Sequence, residues 1–334
     1  MSNEFHTLDH KIFAALIQIK GIGYQTLYNF MQSGKKLQSL LKTKNHSEFN
    51  LILGRVIEYP DLFINDWQAF LKNLVVSGEK YLEILAQNDI KLLLKSNKMF
   101  PKLPIDMDLP LFWLFVQGNL SNLSNNFALT LVGSREMSPI GNFLVESFLF
   151  GIVNVKESIV TISGLANGID QLVHDLSIFL GIPTIAVLGN GHFHNYPENS
   201  KGLRQRILQT GGTIISEYFP ETKPSNKSFV HRNRIQAALA DVVIPMEWKR
   251  KSGTAHTIRF ANAMRKKIVL VETPACQKYS TEQHLANAEA LKKYSAQLYI
   301  MPIEILKLIE TLKLNIKENI GNKNNIVRQM DLGF

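Results

Sequence analysis

The segment ALTLVGSREMSPIGNFLVESFLFGI, residues 128–152, decides the fold. A short run of apolar and β-branched residues ends in a glycine. A polar turn follows, and then apolar residues recur at helical spacing. Strand, turn and helix in that order form the first unit of a wound α/β sheet. The pattern repeats to the C-terminal side: SIVTISG then IDQLVHDLSIFLG, TIAVLG then SKGLRQRILQTG, TIISEY, DVVIPME then GTAHTIRFANAMR, and KIVLVE. Strands this apolar and this short are buried on both faces, the property of a parallel sheet covered by helices. The expected fold class is α/β, with a doubly wound, Rossmann-like, mostly parallel sheet.

To the N-terminal side the texture differs. DHKIFAALIQI, TLYNFMQ and LFINDWQAFLKNLVV carry helical periodicity, predicting a small helical domain over residues 1–83. Within it, IKGIGYQTL places Gly21 and Gly23 between two helices. Such a helix-hairpin-helix turn can bring backbone amides to a phosphate as a secondary contact, although a plain glycine turn explains it equally well. Residues 84–127 read as a connecting or edge segment that ends in the strand LFWLFV. The Rossmann-like domain is expected over 84–315, and the polar stretch 316–334 as a flexible tail.

The chain has 334 residues, is 45% hydrophobic and carries a formal charge of +9, so its partner is expected to be anionic. Eleven Lys/Arg between residues 223 and 267 face only Asp241 and Glu247, a net charge equal to that of the whole chain. The single cysteine, Cys276, allows no intrachain disulfide. MSNEFHTLDH has no basic segment leading into an apolar core, and no apolar run reaches the length of a membrane span. A cytoplasmic location without membrane attachment is expected.

In a wound sheet, ligands sit at the carboxyl ends of the strands, where loops enter helices. Those loops are VGSREMSPIG, ISGLANGID, LGNGHFHNYP, ISEYFPETKPSNKSFVHRNR and MEWKRKSGTAHT. Small residues expose backbone N–H donors there, and arginine adds a bidentate fork for phosphate. Gly133, Ser134 and Arg135 end the first strand. Arg135 suits a phosphate contact or an ion pair. Ser163 and Gly164 suit an anion site or tight strand-to-helix packing. Ser252, Gly253 and Thr254 read as an N-cap, or as a cap whose amides hold a phosphate. Phe229 and Tyr218 suit the core and a base-stacking platform about equally, given the basic loop around them. FVHRNRIQAALAD, residues 229–241, opens as a basic loop and continues as a helix, and Arg232, Asn233 and Arg234 read as a phosphate clamp at its start.

Several enzyme signatures are missing. There is no G-x-S-x-G elbow, no Walker A sequence and no G-x-G-x-x-G. His192 and His194 lack further ligands nearby, so no metal and no cofactor are expected.

Taken in order, the loops resemble the DNA-processing protein A (DprA/Smf) family. The matching residues are VGSR at 132–135, SPIG at 138–141, SGLANGID at 163–170 with His174, IAVLGNG at 185–191, YPEN at 196–199, SEYFP at 216–220, FVHRNR at 229–234 and SGT at 252–254. The resemblance covers roughly residues 85–275. It implies a non-enzymatic single-stranded DNA-binding protein that forms a homodimer and loads a RecA-type recombinase during recombination or natural transformation. It also implies that Arg135, Ser163, Gly164, Lys223, Lys227, Arg232, Asn233 and Arg234 line the DNA pocket, with Phe229 facing a base. The chain departs from the family pattern at Glu247-Trp248, SGTAHTI, Thr273-Pro274 and Val230, and no C-terminal winged helix is evident. The alternatives are a regulatory component of a phage-defence or mobile-element module that restrains a toxin partner, and a phosphoribohydrolase-like nucleotide enzyme.

Overall fold

Seven strands run parallel through the centre of the molecule: β3 (Phe127–Val132), β4 (Ile159–Ser163), β5 (Thr184–Val187), β6 (Thr213–Ser216), β7 (Val242–Pro245), β8 (Lys267–Glu272) and β9 (Ala296–Ile300). Two further strands, β1 (Lys91–Leu94) and β2 (Trp113–Gly118), extend the β6 edge in antiparallel fashion. The order across the sheet is β1-β2-β6-β5-β4-β3-β7-β8-β9. The computed structural model describes residues 4–58, 66–124 and 127–316. The tail expected from residue 316 lies outside them apart from Ile316 itself, which ends a helix over 305–316.

Strand periodicity explains the layering, because successive side chains point to opposite faces. Leu129, Leu131, Val242, Ile244, Val269 and Val271 face one way. They pack against Leu144, Val145 and Phe148 of α5 (Pro139–Gly151), Val173 of α6 (Ile169–Leu180), and Leu308 and Leu312 of the 305–316 helix. Their neighbours Val160, Ile162, Val243 and Ile268 face the other way, toward α8 (Asn226–Leu239), α9 (Gly253–Ala263) and α11 (Glu282–Lys293). Helix α7 (Lys201–Gln209) packs Leu203 and Ile207 against β5 and β6, and the short α10 (Pro274–Lys278) follows β8. Both faces are covered, as the apolar strands require.

The N-terminal helices are α1 (Leu8–Leu16), α2 (Tyr24–Gln32), α3 (His46–Leu53) and α4 (Trp67–Gln87). Asp66 caps α4 by accepting from the Ala69 amide at 2.9 Å, which starts the helix. These helices share one apolar cluster with Leu92, Leu94, Trp113 and Phe115 of the antiparallel edge. The segment 84–127 is therefore not merely a connection, since KLLL within it forms β1. Its run of three leucines is too short for periodicity to distinguish strand from helix.

Candidate nucleic-acid interface

Where β3 feeds β4 on one side and has β7 on the other, the order of the sheet reverses. The loops after β3 and β7 diverge at this point and leave a crevice. An open cleft of about 450 Å³ lies there, lined by Gly133, Ser134, Arg135, Phe229, Arg232, Asn233, Trp248, Lys249, Ser252, Gly253 and Thr254 among others. A smaller hollow of about 50 Å³ adjoins it, lined by Gly164, Gly189, Asn190 and Tyr196 and sharing Arg135, Phe229 and Arg232.

Phe229 divides the two. Its ring stacks on Tyr196 with centroids 4.9 Å apart and planes 23° apart. On the cleft side the guanidinium of Arg135 lies 5.6 Å from the ring centroid. An exposed cation over a half-buried aromatic is a favourable arrangement, and it leaves the guanidinium edge free to meet an anion. Gly189 makes the ring position possible: a Cβ there would lie 2.3 Å from Phe229 Cδ1.

FVHRNR lies inside α8 rather than in a loop. The helix begins at Asn226, with Ser225 and Ser228 forming a reciprocal capping box. The composition of residues 221–234 conceals this, because the cap is made by two serines within a polar run. Each residue of Arg232-Asn233-Arg234 then holds a different part of the rim. Arg232 donates to the carbonyls of Gly164 (2.8 Å) and Val187, joining the ends of β4 and β5. Asn233 donates to the Gly253 carbonyl at 3.1 Å, fixing the start of α9. Arg234 donates to both carboxylate oxygens of Glu217 at 2.7 and 2.8 Å.

Arg232 borders both hollows yet is only 4% exposed. Burial pushes its pKa down to about 10, opposed by the carboxylate of Asp170 and reinforced by the charge of Arg135. Burial raises the pKa of Asp170, against the pull of Arg232 and several hydrogen bonds. Gly164 is needed because a Cβ there would meet the Arg232 guanidinium at 2.5 Å.

Other expected residues lie elsewhere. Arg234 is turned away from the cleft toward Glu217, with Tyr24 of α2 nearby. Ser163 is fully buried, its hydroxyl donating to the Leu131 carbonyl at 2.7 Å. Lys223 and Lys227 are exposed near the start of α8 but line neither hollow. Gly21 and Gly23 sit in an exposed turn before α2, also outside both hollows. The N-terminus of α5 is already occupied, since Glu247 accepts from the Ser138 amide at 2.9 Å. That carboxylate takes the place an anion would otherwise use.

Several lining residues escaped the reading of the sequence. Tyr196 was visible only as part of YPEN, and Lys249 only as one charge in a basic run. Gln236, 1% exposed in the cleft lining, has an Nε2 without a hydrogen-bond partner among the described residues, as does Asn190 Oδ1 in the small hollow. Buried polar groups are nearly always paired, so orphans of both kinds beside the cleft suit a polar ligand. Among the described residues no cluster of His, Cys, Asp or Glu could hold a metal ion. No helix among them is long and apolar enough to cross a membrane.

Fold and site define a Rossmann-like domain with a cationic, aromatic-lined cleft at its topological switch point. The chain belongs to the family described as DNA recombination-mediator protein A, which residues 91–310 match. It is 33% identical over 245 residues to DNA processing protein DprA of Streptococcus pneumoniae, covering 69% of this chain and 80% of that protein. A solved structure of the S. pneumoniae DprA superposes with a TM-score of 0.61 at 24% identity, over 89% of this chain and 95% of that one. DNA processing protein A of Helicobacter pylori, whose structure is described for its single-stranded DNA binding mode, superposes with a TM-score of 0.57 at 26% identity, over 68% and 96%.

Proposed function

We propose that this chain binds single-stranded DNA in the cleft between the β3 and β7 loops and hands it to a recombinase, without catalysis of its own. The Tyr196–Phe229–Arg135 stack supports this reading most directly. It sets an exposed ring, Tyr196, on which any base can rest, and a cation, Arg135, placed for the adjoining phosphate, on either side of Phe229. Lys249 supplies a second exposed cation on the opposite wall.

Arg232, which joins the ends of β4 and β5, and Arg234 are structural struts, so the test falls on Arg135 and Lys249. Titration of a fluorescent oligothymidylate at two salt concentrations, with a duplex control, is expected to show salt-dependent binding that favours the single strand. The Arg135→Ala, Lys249→Ala variant is expected to lower the slope of log affinity against log salt by about 1.4, at roughly 0.7 per lost contact. Wild-type affinity and slope in that variant would remove the cleft from consideration.

A further inference from the structure

A second hollow, of about 510 Å³, opens between α9 and α11, on the far side of the Ser252–Gly253 turn from the cleft. Arg250, Lys251, Arg259 and Lys293 line it against a single carboxylate, Glu289. The charge is only partly neutralised: Glu289 pairs with Lys293 at 2.5 Å, and Arg250 meets Glu282 at 3.3 Å at the surface. Exposed pairs of this kind are weak and give way readily to a polyanion. Lys251 and Arg259 are exposed, and neither has a carboxylate partner among the described residues.

The two hollows are contiguous. Trp248, Ser252, Gly253 and His256 line both. Arg259 donates to His256 Nδ1 at 2.7 Å, which places the ring proton on Nε2 and makes the histidine a hydrogen-bond donor on the shared ridge. Tyr294 forms the outer wall and provides a second aromatic surface.

We propose that the α9–α11 hollow is a second nucleic-acid subsite, through which a single strand leaving the cleft continues over Ser252–Gly253 toward Lys293. This rests on the cleft being a DNA site. A strand spanning both hollows contacts more phosphates than one confined to the cleft, so the hollow acts only on strands long enough to reach it.

The test compares short and long oligothymidylates, about 6 and about 16 nucleotides, within the usual range for single-strand sites. The full chain is titrated as wild type, Lys251→Ala/Arg259→Ala, Glu289→Gln and Arg135→Ala, with thermal midpoints establishing that each is folded. The Lys251→Ala/Arg259→Ala variant is expected to bind the short probe like wild type, to lose the advantage of the long one, and to lower its salt slope by about 1.4. Glu289→Gln is expected to tighten the long probe alone. Wild-type binding of the long probe by the double variant, or equal loss on both probes, overturns the proposal. Arg135→Ala reports the cleft separately: undiminished binding of the short probe by that variant would sink the cleft reading instead.

Discussion

Arg234 and Glu217 form an ion pair inside the protein, Nη2 lying 2.7 and 2.8 Å from the two carboxylate oxygens with the side chains 2% and 0% exposed. Arg234 also donates from Nε to the Leu109 carbonyl at 3.2 Å, and Tyr24 of α2 lies beside it. The pair thus ties α8 to the end of β6 and to the segment before β2. Burial raises the pKa of Glu217, and Arg234 opposes that shift. Removing one partner strands a buried charge. Arg234→Ala is expected to cost about 3–5 kcal/mol in urea unfolding, and Arg234→Met with Glu217→Leu to recover much of it. DNA affinity of the folded Arg234→Ala protein should match wild type. A stable Arg234→Ala protein that binds as poorly as Arg135→Ala would return Arg234 to the DNA surface.

Two buried histidines set an acid limit on stability. Burial pushes His174 down to about 3, helped by the charge of Arg232. It pushes His192 to about 3 as well, with a hydrogen bond to the Phe115 carbonyl opposing and Arg204 adding to the shift. Both fold neutral, whereas the unfolded chain takes up their protons near pH 6.5. Their contribution is complete above pH 6.5 and is lost as pH falls toward 3. At pH 5 each should cost about 2 kcal/mol relative to pH 7.5. His192→Gln should flatten part of the slope between pH 6.5 and 5. A stability curve with the same slope in that variant would exclude His192 as a source.

The parallel sheet was legible because each strand is an apolar run followed by a small-residue turn and an amphipathic helix. KLLL of β1 was not, since its pairing with Trp113–Val116 is set by tertiary contacts rather than local pattern. At the site, VGSR and SGT were legible through their small residues and their place after strands. The roles of RNR were not. Arg232, Asn233 and Arg234 are adjacent in sequence, yet their side chains diverge toward Gly164, Gly253 and Glu217. Two charges flanking an amide at the start of a helix marked all three as ligands for an anion. Burial in the structure makes Arg234 a strut, because a guanidinium offers its donors to carbonyls and carboxylates as readily as to phosphate. Tyr196 was legible only within YPEN, because its stacking partner Phe229 is 33 positions away in sequence.

Phe229 is expected to act by holding Tyr196 as a stacking surface rather than through charge. Phe229→Ala should weaken oligothymidylate binding by about 1–3 kcal/mol. Since no cation is removed, the salt slope should stay at its wild-type value. Phe229→Tyr, which keeps the ring between Tyr196 and Arg135, should retain most of the affinity. A loss confined to the slope would mean that the ring only positions Arg135.

Gly189→Ala tests the same stack without touching any group that would contact DNA. The added Cβ would lie 2.3 Å from Phe229 Cδ1 and 3.1 Å from its Cα. The second distance involves α8 backbone, so a rotation of the ring alone cannot relieve the contact. The ring must leave its place on Tyr196, and binding should weaken about as much as in Phe229→Ala, again at unchanged salt slope. In the Phe229→Ala background the obstructing ring is gone and only the 3.1 Å approach to the Cα of residue 229 remains, which a shift of a few tenths of an ångström relieves, so Gly189→Ala should then add little. Residues in contact couple in this way, whereas independent ones add. Affinity losses that simply summed in the double variant would show that Gly189 acts on DNA through its own backbone and not through Phe229.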